Sequence, residues 1–381
     1  MNRYKAAVLD HFVSSKVLAG PSATPASAEA RASLAADPMY RELRARLDAI
    51  GFFTPAPWSY GWRIAVNLAL CVFGWIALGL ADSMWLSTAG ALAIGVSMIQ
   101  SSFLAHDSAH GALTRRAWLV ELLGQLHSTV IAGFAFTYFR RSHDLHHSHT
   151  NEPELDPDCL SNVFSVEGGS ASRKTGVGRF LTRHQAILIP LLFPLWALAM
   201  KCDGLGYIAR GWRRCWRDIV AMLLHVVVWL VLPLILAGPL ALVGYLVANM
   251  IAGIYLGAVI PVNHVATTYL TSTHAMSFVE HQLATCRNIR SPRSRPLAAL
   301  FGFLFIGLDR QIEHHLFPWA PACRLATGSE VIRELCRERG LPYNETSYRQ
   351  AVHELASHFA RIGRIAKLDA AWRLSSETPR V

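Results

Sequence analysis

The chain has 381 residues, 52% of them hydrophobic and only 16% charged, with 11 tryptophans and a formal net charge of +10. This composition departs from that of ordinary globular proteins and points to the membrane class. The basic excess brings no zinc finger or RNP-like motif and is scattered between apolar segments, which argues against a nucleic-acid partner and favours membrane-surface and topology roles. Seven cysteines without a CxxC pair give neither a zinc ribbon nor a disulfide framework, so most read as inert buried thiols.

In chain order, MNRYKAAVLDHFVSSKVLAG contains Asp10, His11 and Lys16 and lacks the continuous apolar core of a signal peptide. Residues 21–35, PSATPASAEARASLA, read as part of a flexible leader over 1–36. Asp37 can then cap a helix whose first turn holds Pro38 and which Gly51 can end. Four segments are long and apolar enough to span a bilayer, about 62–81, 85–104, 217–237 and 240–262. The connections after Ala81 and at Ala237 to Pro239 are very short, so the four are predicted to form two antiparallel hairpins.

Two further stretches are ambiguous. Residues 119–139 carry Glu121, Gln125 and His127, and 185–200 are broken by two prolines; both are expected to be re-entrant or interfacial. Residues 298–308 are too short to cross. The hairpin tips lack Lys and Arg, whereas the central and C-terminal regions are rich in them, so the termini and central loop should be cytoplasmic. After Pro318, two amphipathic helices should pack on the membrane-proximal domain, which is expected to span 37–363 and be followed by a tail over 364–381. The predicted fold class is an all-α integral membrane protein with interfacial helices and a cytoplasmic helical domain.

The 17 histidines are distributed unevenly. HDSAH puts His106 and His110 at i and i+4, just beyond the second span. SHDLHHSH puts His143, His146 and His147 on one side of a helix, and QIEHH supplies His314 and His315 with Gln311 one turn earlier. A lone His264 ends the fourth span. The two hairpins bring every cluster to the predicted cytoplasmic face, an agreement independent of the arginines that set the orientation. Eight imidazoles exceed what one metal can use, so the count favours two metals and oxidative chemistry on an apolar chain. His264 also reads as a simple membrane-end histidine, and the Gln311 amide can bind metal or water or cap local backbone. His127 and His149 suit packing or support, while Asp107, Asp144 and Glu313, and with them Asp156 and Asp158, could orient imidazoles through their ring N–H groups.

At these residues the chain resembles the membrane fatty acid desaturase family, whose three histidine boxes appear as HDSAH, HDLHH and QIEHH. QIEHHLFP is typical of its front-end and acyl-lipid branch, and the resemblance runs from about Tyr40 to Gly363, through HQLATCRN and GLPYNETSYRQAVHEL. It implies that His106, His110, His143, His146, His147, His314 and His315, with His264 and Gln311, hold two iron ions, and that no catalytic side chain is needed beyond these ligands. The implied reaction uses dioxygen and external electrons to place a cis double bond in an acyl chain carried on a lipid, CoA or a carrier protein. A related hydroxylase, acetylenase or ketolase would use the same metal site, and a non-redox membrane metal-binding protein is an alternative of another class. Asp144 stands where relatives commonly carry Asn, and HPGG, the haem-binding motif of fused cytochrome domains, is missing. The resemblance therefore implies a separate donor, such as ferredoxin or a cytochrome, and a multi-pass protein of the bacterial inner membrane.

Overall fold

The computed structural model describes residues 37–80, 83–160, 164–270 and 276–376, with side chains described as far as residue 367. The expected leader over 1–36 lies outside the described residues. Helix α1, Pro38–Ala49, begins as the sequence predicts: the Asp37 carboxylate accepts from the Met39 amide at 2.9 Å and the Tyr40 amide at 3.3 Å, and Gly51 takes φ 70° just past the end.

Helices α2, Pro57–Gly79, and α3, Met84–Ala109, form the first hairpin. They approach closely because glycines meet: a Cβ on Gly74 would lie 2.5 Å from Ile94 and 2.9 Å from the Gly90 carbonyl. Helix α3 is the central element, 72% buried over its apolar window against 17% for α2. Next comes a bent pair, α4 over Ala117–Ile131, whose last two turns are π-helical, and α5 over Phe136–Ser148. The two meet at 108° around Gly133 at φ 80°, the geometry of either a broken span or a re-entrant loop.

Two short helices, α6 over Gly168–Arg173 and α7 over Gly176–Arg183, lead to α8, Gln185–Arg210. Here the structure departs from the expectation of a short, broken segment. Pro190 and Pro194 sit inside one continuous helix of 26 residues. Its Phe193–Pro194 turn packs onto a glycine face of a neighbouring helix, and such packing lets membrane helices tolerate proline. Among the described residues, five helices are thus long and apolar enough to cross a membrane, or six if the bent pair counts as one span, where the sequence suggested four.

The second hairpin consists of α9, Trp216–Ala237, with a π-turn at Val227–Val231, and α10, Leu240–Val259, which runs through a 3-10 turn to Asn263. Side chains such as Phe73, Ile76, Leu191, Leu223 and Ile235 face outward, as lipid contact requires.

The remaining elements close one end of the bundle: α11, Phe278–Thr285; β1, Asn288–Arg290; α12, Arg295–Phe305; α13, Gln311–Leu316; α14, Ala322–Arg339; β2, Glu345–Ser347; and α15, Tyr348–Ser376. Helix α12 is only 11 residues long, as its sequence implied. Strands β1 and β2 pair in parallel, Asn288 opposite Glu345, an addition to the all-α expectation. The N-terminal α1 joins this end through a core of Leu43, Leu47, Phe52, Ile312, Phe317, Ile332 and Leu335. Helix α15 continues past Gly363, where the tail was expected to start, to Ser376.

The contact between α8 and α10 can be tested directly, because a Cβ on Gly253 would lie 2.3 Å from the Phe193 carbonyl and one on Gly257 would lie 2.3 Å from the Phe193 ring. Gly257→Val should destabilise the protein by about 1–3 kcal/mol, the usual range for an overpacked site. Gly302→Ala, where a Cβ meets open space, should be near neutral. Thermal unfolding of the detergent-solubilised protein measures both.

Candidate metal centre

Four elements supply the site. The end of α3 provides His106 and His110, α5 provides His143, His146 and His147, the turn after α10 provides His264, and α13 provides Gln311, His314 and His315. Seven of the eight imidazoles and the Gln311 amide are buried, and His143 is partly so. All six residues of α13 are buried, and two conformational devices fix it. Ile306 and Gly307 adopt left-handed backbone, at φ 49° and 83°, to turn the chain out of α12. The Asn288 side chain then accepts from the Ile312 amide at 2.9 Å.

The ring nitrogens sort into two groups. One contains His106, His110, His143, His147 and His314; the other contains His146, His264 and His315; in each, one ligand atom per residue lies within 4.8 Å of the rest. Sequence spacing put His143, His146 and His147 on one side of a helix, but the structure divides them. Adjacent helical residues differ by about 100° around the axis, so His146 faces one group and His147 the other. His314 and His315 divide in the same way, and the groups touch where the His147 and His315 rings stack with centroids 4.0 Å apart.

Partners behind the rings fix their orientation. His106 Nδ1 lies 2.9 Å from Asp107, whose other oxygen accepts from the Tyr60 hydroxyl at 2.7 Å. His146 Nδ1 lies 3.0 Å from Asp156, a fully buried carboxylate that also accepts from the Asn151 and Asp158 amides. His264 Nδ1 faces the Thr285 carbonyl at 3.2 Å, and His315 Nδ1 faces the Gln282 side-chain oxygen at 3.0 Å. Each of these four acceptors requires a proton on Nδ1, which turns the Nε2 lone pair inward.

The Nε2 atoms of His106, His110, His314 and His315 and the Nδ1 of His147 are buried with no hydrogen-bond partner. An unmade hydrogen bond at a buried polar atom costs about 1–3 kcal/mol, so five such orphans are suited to ligation, and the residues fit bound metal. Burial, reinforced by neighbouring imidazoles, holds His110, His314 and His315 well below the usual histidine pKa; burial and then His146 bring His264 down to about 3. The unprotonated ring is the form that binds metal.

Other candidates have different surroundings. Gln311 Nε2 lies 2.9 Å from His264 Nε2, while its Oε1 is buried and unpartnered, so the amide points into the smaller group. Glu313 turns away, accepting from Asn288 at 2.7 Å and Tyr343 at 2.7 Å. His127 sits against Ser101, and His149 against Glu152. Sequence reasoning did not single out Gln282, Thr150 or Tyr60. Gln282 lies within the quoted HQLATCRN, whereas Tyr60 and Thr150 carry no signal beyond their place in the fold. An apolar cavity of about 290 Å³ lies between the hairpin tips, lined by Trp75, Leu78, Ile94, Trp229 and Tyr245 and by none of the site histidines.

The sequence model of a family described as Fatty acid desaturase matches residues 83–347, which include every candidate ligand. The chain is 24% identical to the Delta(8)-fatty-acid desaturase of Euglena gracilis, over 87% of this chain and 80% of that protein. It is 26% identical to the Delta 8-(E)-sphingolipid desaturase of Emericella nidulans, over 86% of this chain and 62% of that protein. Identity to the Delta(8)-fatty-acid desaturase 2 of Arabidopsis thaliana is 27%, over 76% and 66% respectively.

Asp156→Asn removes the charge behind His146 but keeps the shape. It should weaken metal retention by roughly 10–100-fold, the usual cost of losing a carboxylate behind a ligating imidazole. Metal content after graded chelator treatment, read by elemental mass spectrometry, checks this.

Proposed function

The chain belongs to the fatty acid desaturase family, and on that premise we propose that it is a membrane-bound, dioxygen-dependent acyl desaturase working at a histidine-held pair of iron ions. The observation that carries the reading is the division of eight imidazoles into two touching groups with their free nitrogens converging. His106, His110, His143, His147 and His314 would hold one ion, and His146, His264 and His315 the other, with Gln311 beside His264. Bound there, the pair supplies the oxidising power that side chains lack. In balance, two adjacent methylenes each lose a hydrogen, dioxygen takes up two electrons and two further protons, and a double bond and two waters result.

The chain's own residues bind and orient. Asp107, Asp156, Gln282 and the Thr285 carbonyl hold four rings in one tautomer, so the site is built before substrate arrives. Close packing of α13 against β1 and α14 excludes bulk water from one side. An acyl chain enters from the lipid, and the position of its bend past the metals fixes which carbons react. The acyl group is carried on a lipid, CoA or a carrier protein, and electrons arrive from a separate carrier.

For topology, we infer four crossing helices, α2, α3, α9 and α10, with α8 lying along the membrane on the side of the site. Both ends of α8 support this. Gln185 at its start bonds the Ser165 and Phe359 backbones, and near its end Gly204 packs on Ala135 while Tyr207 packs on Tyr138 of α5. Helix α9 then starts beside the base of α5, where Asp218 accepts from the Thr137 amide at 3.0 Å. The arginines at both ends of α8 and after it, Arg183, Arg210, Arg213 and Arg214, make this side cytoplasmic.

Expression in a host without desaturases, with mass-spectrometric location of double bonds, should yield a new unsaturated acyl product. His146→Ala should abolish it and lower the iron content while the protein stays folded in the membrane. Tightly bound zinc without iron in active protein would refute the reading, and a hydroxylated product would move the enzyme to the hydroxylase branch. In a cysteine-free background, a cysteine at Gly238 should be labelled by an impermeant reagent from outside the cell and one at Arg213 only from inside.

A further inference from the structure

Helix α1 presents its basic residues in two ways. Arg46 is paired, at 2.7 Å from Glu338 and 2.6 Å from Glu42, and Glu42 also pairs with Arg339. Arg41 and Arg44 point elsewhere, one turn apart, into a cleft of about 370 Å³ that Arg115 borders from beyond α3. Ala45, Asp48, Phe53 and Trp319 complete the lining. Arg41, Arg44 and Arg115 are exposed and form no ion pair among the described residues. Three guanidiniums against one carboxylate leave the cleft with an uncompensated positive field.

The cleft adjoins the metal-binding residues through aromatic rings. Trp319 lies four residues after His315, and its ring is 5.7 Å from Phe317 and 6.2 Å from Phe53. Phe317, two residues after His315, is fully buried and also packs on Tyr40 at 5.2 Å and Phe53 at 5.4 Å. This packing decides between the ligands that a basic cleft could take. On its way to His315 past Trp319, an acyl chain from a headgroup seated here would meet Phe317, fully buried and packed against Tyr40 and Phe53, in place of a passage. An electron needs no such passage.

We propose that this cleft is the docking site of an acidic one-electron carrier protein, with Arg41, Arg44 and Arg115 engaging its carboxylates and Trp319 and Phe317 lying on the route to His315. The proposal rests on the reading of the chain as an enzyme supplied with external electrons. In each encounter the reduced carrier gives up one electron and leaves oxidised while the metal site gains one, so each turnover takes two encounters. Charge complementarity of this kind sets the encounter rate and its dependence on salt.

The test uses the full chain in neutral phosphatidylcholine nanodiscs and a reduced two-iron, two-sulfur ferredoxin as the probe. Wild type should bind saturably, more weakly as salt rises, and Arg41→Glu/Arg44→Glu and Arg115→Glu should each weaken binding about tenfold or more at low salt. Arg349→Glu, on an exposed part of α15, should leave affinity unchanged. At saturating ferredoxin, Trp319→Leu should be reduced more slowly by the carrier, and at the wild-type rate by dithionite. Wild-type affinity in the charge-reversed proteins overturns the proposal, as does absence of saturable binding to wild type. Loss only of association with phosphatidylglycerol vesicles would assign the cleft to lipid headgroups instead. Single turnover separates the two readings: wild type is reduced with dithionite under anaerobic conditions, freed of excess reductant, and only then given dioxygen and host acyl lipids; no product, with ferredoxin binding still dependent on Arg41 and Arg44, refutes the desaturase and leaves the docking site standing.

Discussion

Eight imidazoles in mutual contact cannot all carry charge, and buried as they are they cannot leave their inward nitrogens idle. Much of the structure around them answers that constraint. The helices that converge on the site bring ring nitrogens within a few ångströms of one another, an arrangement that would be costly without metal, because orphaned buried lone pairs lose their water and gain nothing in exchange. Polar groups that might have satisfied those nitrogens instead stand behind the rings. Asp107, Asp156, Gln282 and the Thr285 carbonyl all engage Nδ1 and leave Nε2 facing inward.

The same constraint explains why the non-spanning parts of the chain are so tightly knit. Glu313 sits beside His314 and could have been drawn in among the imidazoles, yet Asn288 and Tyr343 hold it on the opposite side of α13. Those partners come from β1 and from the approach to β2, so the short parallel ladder serves to anchor a six-residue helix that could not be stable alone. Helix α1 and the loop to α2 cover the other side with Tyr40, Phe52 and Phe53, so the segment before the first hairpin belongs to the wall of the site.

How much of this the sequence revealed depended on the range of the interaction. Local rules worked: Asp37 caps α1, Gly51 ends it, the apolar runs mark both hairpins, and the histidine boxes identify the elements that meet. Rules of periodicity were less sufficient. The prolines at 190 and 194 suggested a broken segment because their tolerance depends on Gly253 and Gly257, some sixty residues away. Tyr60 behind Asp107 and Thr150 behind His315 were illegible for the same reason, since each acts only through a neighbour distant in the chain. The spacing of HDLHH identified a helix face but gave no sign that two groups would share it.

That sharing has a mechanical consequence. His146 with His147, and His314 with His315, are neighbours in the chain whose rings look into opposite groups. Two rigid helical turns, set on facing elements, therefore act like the jaws of a caliper, with one tip of each jaw in either pocket. The gap between the pockets is thereby written into backbone pitch, and neither pocket can widen without disturbing the other. A chain built this way can vary its lipid-facing walls freely while the gauge at its centre stays fixed.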